Sequence, residues 1–180
     1  MKAIRKAIAV FYVLAIWCAV AVLAQQANQN ETQPASILAS NAEFILTAID
    51  ERAVAQFKHA WRSVGSGSDK IEAAVLLYRK IDGSLESTLP PLTFEIDRFG
   101  FRWNAAIIGV VHSHPNCDDF RPSHQDLQLS RRFNVPIFTI TSRGMYMYDP
   151  EKRKISRVQP NLDWLDYSKW NSDSHLAMRK

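Results

Sequence analysis

The stretch "AAIIGVVHSHPNCDDFRPSHQDLQLS", residues 105–130, contains the change of pattern that decides the fold. Its first ten residues, 105–114, are apolar on both faces, which is typical of a strand in the interior of a sheet. Pro115 cannot continue a strand ladder and predicts the end of that strand. After a polar loop, Ser123 stands where a helix N-cap is expected, and a short helix is predicted to run to Phe133.

The segments on either side predict more strands and one earlier helical region. Residues 41–64 have helical spacing of apolar residues and predict one or two helices, ended by the "GSGS" of residues 65–68. Strands are predicted at residues 71–78, 84–90, 92–103, 135–141 and 144–149, with an edge strand at 155–159. Asp82-Gly83 predicts the first hairpin turn. This order predicts a single α/β domain with a mixed β-sheet flanked by helices.

The N-terminus is typical of a secretory signal peptide at residues 1–24. Lys2, Arg5 and Lys6 precede an apolar run that ends in small residues before Gln25. The alternative is an uncleaved membrane anchor, because 18 apolar residues approach the length needed to span a bilayer. We therefore expect a periplasmic or secreted protein that contacts a membrane only through this segment, if it is uncleaved.

The rest of the chain divides into three parts. Residues 25–42 are polar and predict a flexible linker, residues 43–160 form the predicted domain, and residues 161–180 form a C-terminal tail. The apolar side chains of Trp164, Leu165 and Trp170 are expected to pack the tail against the domain.

The charge balance gives no indication of a nucleic-acid partner. Without residues 1–24 the chain keeps 19 basic and 18 acidic residues, a net charge of +1. Removal of the leader also removes Cys18 and leaves Cys117 as the single cysteine, so no internal disulfide is expected.

Two histidines at the end of the central strand predict a zinc site. His112 and His114 alternate along the strand, so their side chains point to the same face. A catalytic zinc needs a third protein ligand and keeps a fourth position for water. Asp126 is the chosen third ligand, although Ser123 and Asp126 also fit a capping box that needs no metal. Ser123 could cap the helix while its hydroxyl faces the metal.

Other residues of the cluster are weaker candidates. His124 is a competing ligand, but the residue after an N-cap is usually exposed. Asp118 and Asp119 are expected to be solvated in the loop. Cys117 could ligate zinc or act as a nucleophile, and its commoner role would be that of a buried, inert thiol.

The order His112-Ser113-His114-Pro115, then Ser123, then Asp126 resembles the motif of the JAMM metallopeptidases, the MPN+ or JAB domain family. The resemblance covers most of the chain after the linker. It implies the MPN/JAB fold, a cytidine-deaminase-like architecture, with zinc held by His112, His114 and Asp126. One departure is the loop between His114 and Ser123, which has eight residues here and usually seven in the family.

The resemblance also implies a glutamate upstream that serves as general base. Glu72 opens a predicted strand 40 residues before His112, as in the family, and is the chosen residue. Glu51 falls in the helical region, Glu95 is expected at the surface, and Glu86 is the remaining candidate.

The function implied is that of a JAMM-type zinc metallopeptidase, a hydrolase of peptide or isopeptide bonds. Glu72 would activate the water, and Ser123 would donate a hydrogen bond to the oxyanion. The expected substrates are peptides, isopeptides or cell-wall peptides. The alternative is a non-catalytic JAB-fold binding or scaffold module. A deaminase is not expected, because no P-C-x-x-C sequence follows the histidines.

Overall fold

The computed structural model describes residues 39–93 and 99–170. The helices are α1 (Asn41–Ala48), α2 (Glu51–Ser63) and α3 (His124–Phe133). The strands are β1 (Ala74–Arg79), β2 (Leu85–Thr88), β3 (Ile107–Ser113), β4 (Ile137–Thr141), β5 (Gly144–Asp149) and β6 (Lys154–Gln159). The region predicted as one or two helices is two helices, and Asp50 caps the second by accepting a hydrogen bond from the Ala53 amide at 2.9 Å.

The strands form one mixed sheet in the order β2-β1-β3-β4-β5-β6. Strands β3 and β4 are parallel and joined through α3, whereas the other neighbours are antiparallel. The predictions of an interior β3 and an edge β6 are confirmed. The described residues therefore form a single α/β domain with a six-stranded mixed sheet and three α-helices.

The two faces of the sheet carry separate apolar clusters. Helices α1 and α2 cover one face, where Ile45, Phe57 and Val111 belong to the larger cluster. The other face carries a smaller cluster around Val110, against which Leu129 of α3 packs. Because side chains alternate along a strand, His112 lies on the same face as Val110, the face that α3 covers.

The predicted strand at residues 92–103 is wrong for its described residues, 92–93 and 99–103. Phe99 to Trp103 form no regular secondary structure, and residues 94–98 lie outside the described part of the chain. The rings instead pack over the smaller cluster, with Phe99 and Phe101 stacked at 5.8 Å and Trp103 and Phe133 at 3.9 Å between centroids. Contact with the sheet face, rather than a strand ladder, explains the alternation of aromatic residues.

The segment after β6 packs against the helices. Trp164 is 1% exposed and contacts the ring of Phe57 at a centroid distance of 6.2 Å and that of Trp170 at 5.5 Å. Residues 1–38 and 171–180, which include the predicted leader and most of the linker, lie outside the described residues. No helix in the described part combines the length and apolar character needed to cross a membrane.

Candidate metal centre

Four of the predicted site residues meet in one buried cluster on the α3 face of the sheet. Glu72, His112, His114 and Asp126 are 8%, 1%, 4% and 7% exposed. Ala74 of β1 pairs with His112 of β3, so the side chain of Glu72, two residues earlier, points to the same face as both histidines. Helix α3 starts at His124 and brings Asp126 over that face in its first turn.

The carboxylate of Asp126 contacts Nε2 of His112 and Nε2 of His114. Its Oδ1 lies 3.2 Å from Nε2 of His112, and its Oδ2 lies 3.5 Å from Nε2 of His114. Ligand atoms around a tetrahedral zinc ion, with bonds of roughly 2.0–2.1 Å, are about 3.3 Å apart. The two observed separations, one to each oxygen of Asp126, are close to this value.

The carboxylate of Glu72 approaches the cluster from β1. Its Oε2 lies 3.3 Å from Nδ1 of His112, and its Oε1 lies 4.0 Å from Nε2 of His114. One ligand atom from each of Glu72, His112 and His114 lies within 4.8 Å of the others, so these three residues could also hold a metal ion. Of the two carboxylates, Asp126 is the closer to both Nε2 atoms.

The Nδ1 atoms of both histidines face hydrogen-bond acceptors. Nδ1 of His114 donates to the backbone carbonyl of Asp119 at 2.8 Å, and a carbonyl can only accept. The proton of a neutral His114 therefore resides on Nδ1, and Nε2 keeps its lone pair for a metal. Nδ1 of His112 has the Glu72 carboxylate as acceptor at 3.3 Å.

Nε2 of His112 fits a metal ligand because it is buried without a hydrogen bond. No described residue accepts from it or donates to it. The nearby Oδ1 of Asp126, at 3.2 Å, is close enough for an ion pair but lacks the alignment of a hydrogen bond. Leaving a buried polar atom unpaired costs about 1–3 kcal/mol, which a bound ion would offset.

The cluster attracts positive charge. Burial would lower the pKa of His112, but the carboxylates of Asp126 and Glu72 outweigh it and raise this pKa from 6.5 to about 10. Burial would raise the pKa of Asp126, but the charge of His112 and the hydrogen bonds around the carboxylate hold it well below its usual range. Two buried carboxylates thus favour a cation between the imidazoles, whether a proton or a metal ion.

Ser123 and Asp126 form a capping box at the start of α3, and Asp126 also contacts the histidines. The Asp126 amide donates to Oγ of Ser123 at 3.2 Å, and the Ser123 amide donates to Oδ2 of Asp126 at 2.6 Å. The capping interpretation and the ligand interpretation of Asp126 are therefore compatible. Ser123 is exposed, and its hydroxyl proton is still available because Oγ acts as acceptor in the cap.

The eight-residue loop before Ser123 is tied to the domain at both ends. The Asn116 amide donates to the carbonyl of Gly67 at 2.8 Å, and Oγ1 of Thr139 donates to the carbonyl of Phe120 at 3.3 Å. After this loop, Asp126 in the first turn of α3 lies beside both histidines.

The weaker candidates lie outside the cluster. His124 is exposed, and its Nε2 lies 2.9 Å from Nε2 of Gln128. The Asp118 and Asp119 side chains are exposed as expected, although the Asp119 backbone contacts His114. Cys117 is exposed, so the expectation of a buried thiol is wrong: the loop carries its side chain towards solvent, 3.8 Å from Oδ1 of Asp118.

Two neighbours of the cluster were not predicted from the sequence. The ring of Phe99 lies 4.7 Å from the imidazole of His112 and covers one side of it. Ser113, between the two histidines, accepts a hydrogen bond from the Ala73 amide through Oγ at 3.0 Å, which fixes β3 beside the residue that follows Glu72. The position of Ser113 between the two histidines could have indicated that it lies close to the cluster. Nothing in the sequence indicated that Phe99 would contact His112.

Comparison with known proteins adds no family assignment. The chain matches no model of a protein family, and a search of curated proteins also returns no match. Functional interpretation therefore depends on the cluster itself, which could hold a metal ion through Glu72, His112 and His114.

Proposed function

We propose that this chain is a zinc-dependent peptidase or isopeptidase of the JAMM type, with an MPN/JAB architecture. The observation that carries the proposal is the contact of one carboxylate, Asp126, with Nε2 of both His112 and His114. The sequence motif that resembles the family supplies the same three residues. A second carboxylate, Glu72, lies beside them, and hydrolysis by a metal site needs such a base.

His112, His114 and Asp126 would hold the zinc ion. Each histidine presents Nε2 to the site while its Nδ1 faces an acceptor, an arrangement that fixes ring orientation in metal sites. When bound, zinc would supply Lewis acidity and bring the pKa of a water in its open position towards neutrality.

Glu72 would act as the general base. Its Oε1, 4.0 Å from Nε2 of His114, is free of hydrogen bonds to described residues and faces the site. From there it would take a proton from the attacking water and return it to the leaving amine. The burial of the carboxylate limits competition from bulk water.

Ser123 would stabilise the oxyanion that develops on the substrate carbonyl. The support is that its amide and its Oγ both contact Asp126, a residue of the cluster. Its hydroxyl can donate while Oγ still accepts the capping hydrogen bond. Donors of this kind are worth about 3 kcal/mol of transition-state stabilisation.

We also propose that the protein acts outside the cytoplasm, on peptides, isopeptides or cell-wall peptides. The support is the signal-peptide pattern of residues 1–24 and, for the substrate, the chemistry of the cluster. No observation points to nucleic acid as a partner.

Replacement of Glu72 tests the proposal. Glu72→Gln keeps a neutral acceptor of the same size for His112, so the variant should retain zinc while hydrolysis of a peptide and isopeptide library falls by at least about a hundredfold. Glu86→Gln, an exposed glutamate of β2, is the matched control and should hydrolyse as the wild type does. Turnover retained in Glu72→Gln would contradict the role of Glu72 as the base. No hydrolysis by the zinc-loaded wild type would contradict the peptidase and favour the alternative, a non-catalytic binding module.

A further inference from the structure

A polar cavity lies beside the candidate metal centre, at the ends of β3 and β4. Its volume is about 320 Å³. The lining includes Pro115, which directly follows His114, and Asp119, whose carbonyl accepts from Nδ1 of His114. Two residues of the cavity wall are therefore attached to the predicted zinc ligand His114, Pro115 through the peptide bond and Asp119 through a hydrogen bond.

The guanidinium groups of two arginines that line the cavity lie over the same aromatic ring, that of Phe120. The guanidinium of Arg143 lies 4.9 Å from the centroid of the Phe120 ring, and that of Arg121 lies 5.5 Å from it. Arg121 already has a carboxylate partner, because its Nη2 lies 3.3 Å from Oδ2 of Asp119. Arg143 makes no ion pair with any carboxylate in the described part of the chain.

The Arg143 side chain is carried on an anchored turn. The amide of Arg143 donates to Oγ1 of Thr141 at 3.1 Å, and the Arg157 guanidinium donates to the Arg143 carbonyl at 2.7 Å. The backbone of the turn between β4 and β5 is thus held from both sides, and the Arg143 guanidinium lies over the Phe120 ring.

One acidic side chain of the lining is also without a cationic partner. The carboxylate of Asp118 makes no ion pair among the described residues, and its hydrogen-bond neighbour is the thiol of Cys117 at 3.8 Å. Once the Arg121–Asp119 pair is set aside, the cavity wall offers one positive charge, Arg143, and one negative charge, Asp118.

From this charge pair we infer that the cavity binds the head group of an α-amino acid, with its carboxylate at Arg143 and its ammonium at Asp118. Charge-assisted hydrogen bonds of an arginine to a carboxylate, and of a carboxylate to an ammonium, are the contacts that would recognise it. What this binding would do for the protein rests on the proposed function. Beside a hydrolytic site, such a cavity would select an isopeptide whose diamino acid keeps a free head group.

Nε-acetyl-L-lysine is the probe that tests the inference, because it joins a free head group to a side-chain amide. Binding to the full chain is followed by NMR through the Arg143 side-chain N–H and the amides of residues 142–144, with the α-amide and the Nα-acetyl forms of the probe as comparisons. The uncapped probe should bind about fivefold more tightly than either capped form, since each cap removes one exposed ion pair.

Three variants assign the two charges. Arg143→Gln should abolish the preference for the free carboxylate and keep the preference for the free ammonium, and Asp118→Asn should do the reverse. Arg132→Gln is the matched control, because Arg132 also lies over a phenylalanine ring, that of Phe133 at 5.2 Å, but outside the cavity. Equal binding of capped and uncapped probes, or equal losses in all three variants, would overturn the inference.

The two proposals fail separately. Selective head-group binding in zinc-loaded protein that hydrolyses no isopeptide would support the cavity assignment while contradicting the proposed peptidase. Hydrolysis of isopeptides without any head-group preference would overturn the cavity assignment and leave the peptidase in place.

Discussion

At the scale of single residues, the Asp126 carboxylate takes part in both the helix cap and the candidate metal centre. Its Oδ2 accepts the hydrogen bond from the Ser123 amide, and its Oδ1 faces Nε2 of His112. From the sequence these roles were alternatives, since a capping box explains the Ser-x-x-Asp pattern without a metal. The structure allows both because a carboxylate has two oxygens: the cap binds Oδ2, and Oδ1 is left to face His112.

Ser123 can be tested for the same combination of roles. Ser123→Ala should lower the free energy of unfolding by about 1 kcal/mol through loss of the cap, and should lower kcat by about 10²–10³ through loss of the oxyanion donor. Urea denaturation and peptide hydrolysis measure the two effects.

Ser123→Thr is the control, because threonine keeps a hydroxyl that can cap and donate. It should recover most of both losses. A Ser123→Ala enzyme with lowered stability but unchanged kcat would restrict Ser123 to its capping role.

At the scale of helices and strands, the sequence predicted the elements that present the site. The apolar run before Pro115 gave β3, and alternation along it placed His112 and His114 on one face. The prediction of a strand was wrong at residues 99–103. Aromatic residues alternate there as they would in a strand, but their rings pack on the face of the sheet and the segment does not pair with any strand. The position of Phe99 against His112 follows from that packing and could not be predicted from the periodicity of the sequence.

The approach of α1 to β3 depends on a glycine. A Cβ at Gly109 would lie 2.5 Å from Cδ1 of Ile45, which is fully buried in α1. Gly109→Ala should therefore lower the free energy of unfolding by roughly 1–3 kcal/mol through overpacking. Urea denaturation is the measurement.

A second substitution should relieve the crowding. Ile45→Val removes the Cδ1 methyl, so the double variant should lose less stability than the sum of the two single variants. Additive losses would show that α1 and β3 do not meet at this contact.

At the scale of the whole molecule, the site requires strands that are neighbours in space but not in sequence. Glu72 precedes β1 and His112 lies in β3, 40 residues later, and the two meet because β1 pairs with β3 after the hairpin with β2. Local sequence patterns do not determine which strands become neighbours. The position of Glu72 at the site was therefore predicted from family resemblance, and β1–β3 pairing is the physical cause.

The segment after β6 helps to hold the helical layer in place. Trp164→Ala removes a fully buried ring that packs on Phe57, and should lower the free energy of unfolding by about 3–5 kcal/mol. Trp164→Phe should lose much less, because Nε1 of Trp164 has no hydrogen-bond partner among the described residues and the smaller ring removes that unpaired donor. Chemical denaturation compares the two, and equal losses would contradict this account.

The metal content of the purified chain tests the central claim most directly. Inductively coupled plasma mass spectrometry after zinc addition without chelator should find about one zinc per chain. His112→Ala should lose it, whereas His124→Ala, with its exposed histidine in the same segment, should keep it. Wild-type protein without zinc, or equal zinc losses in the two variants, would contradict a metal centre built from His112, His114 and Asp126.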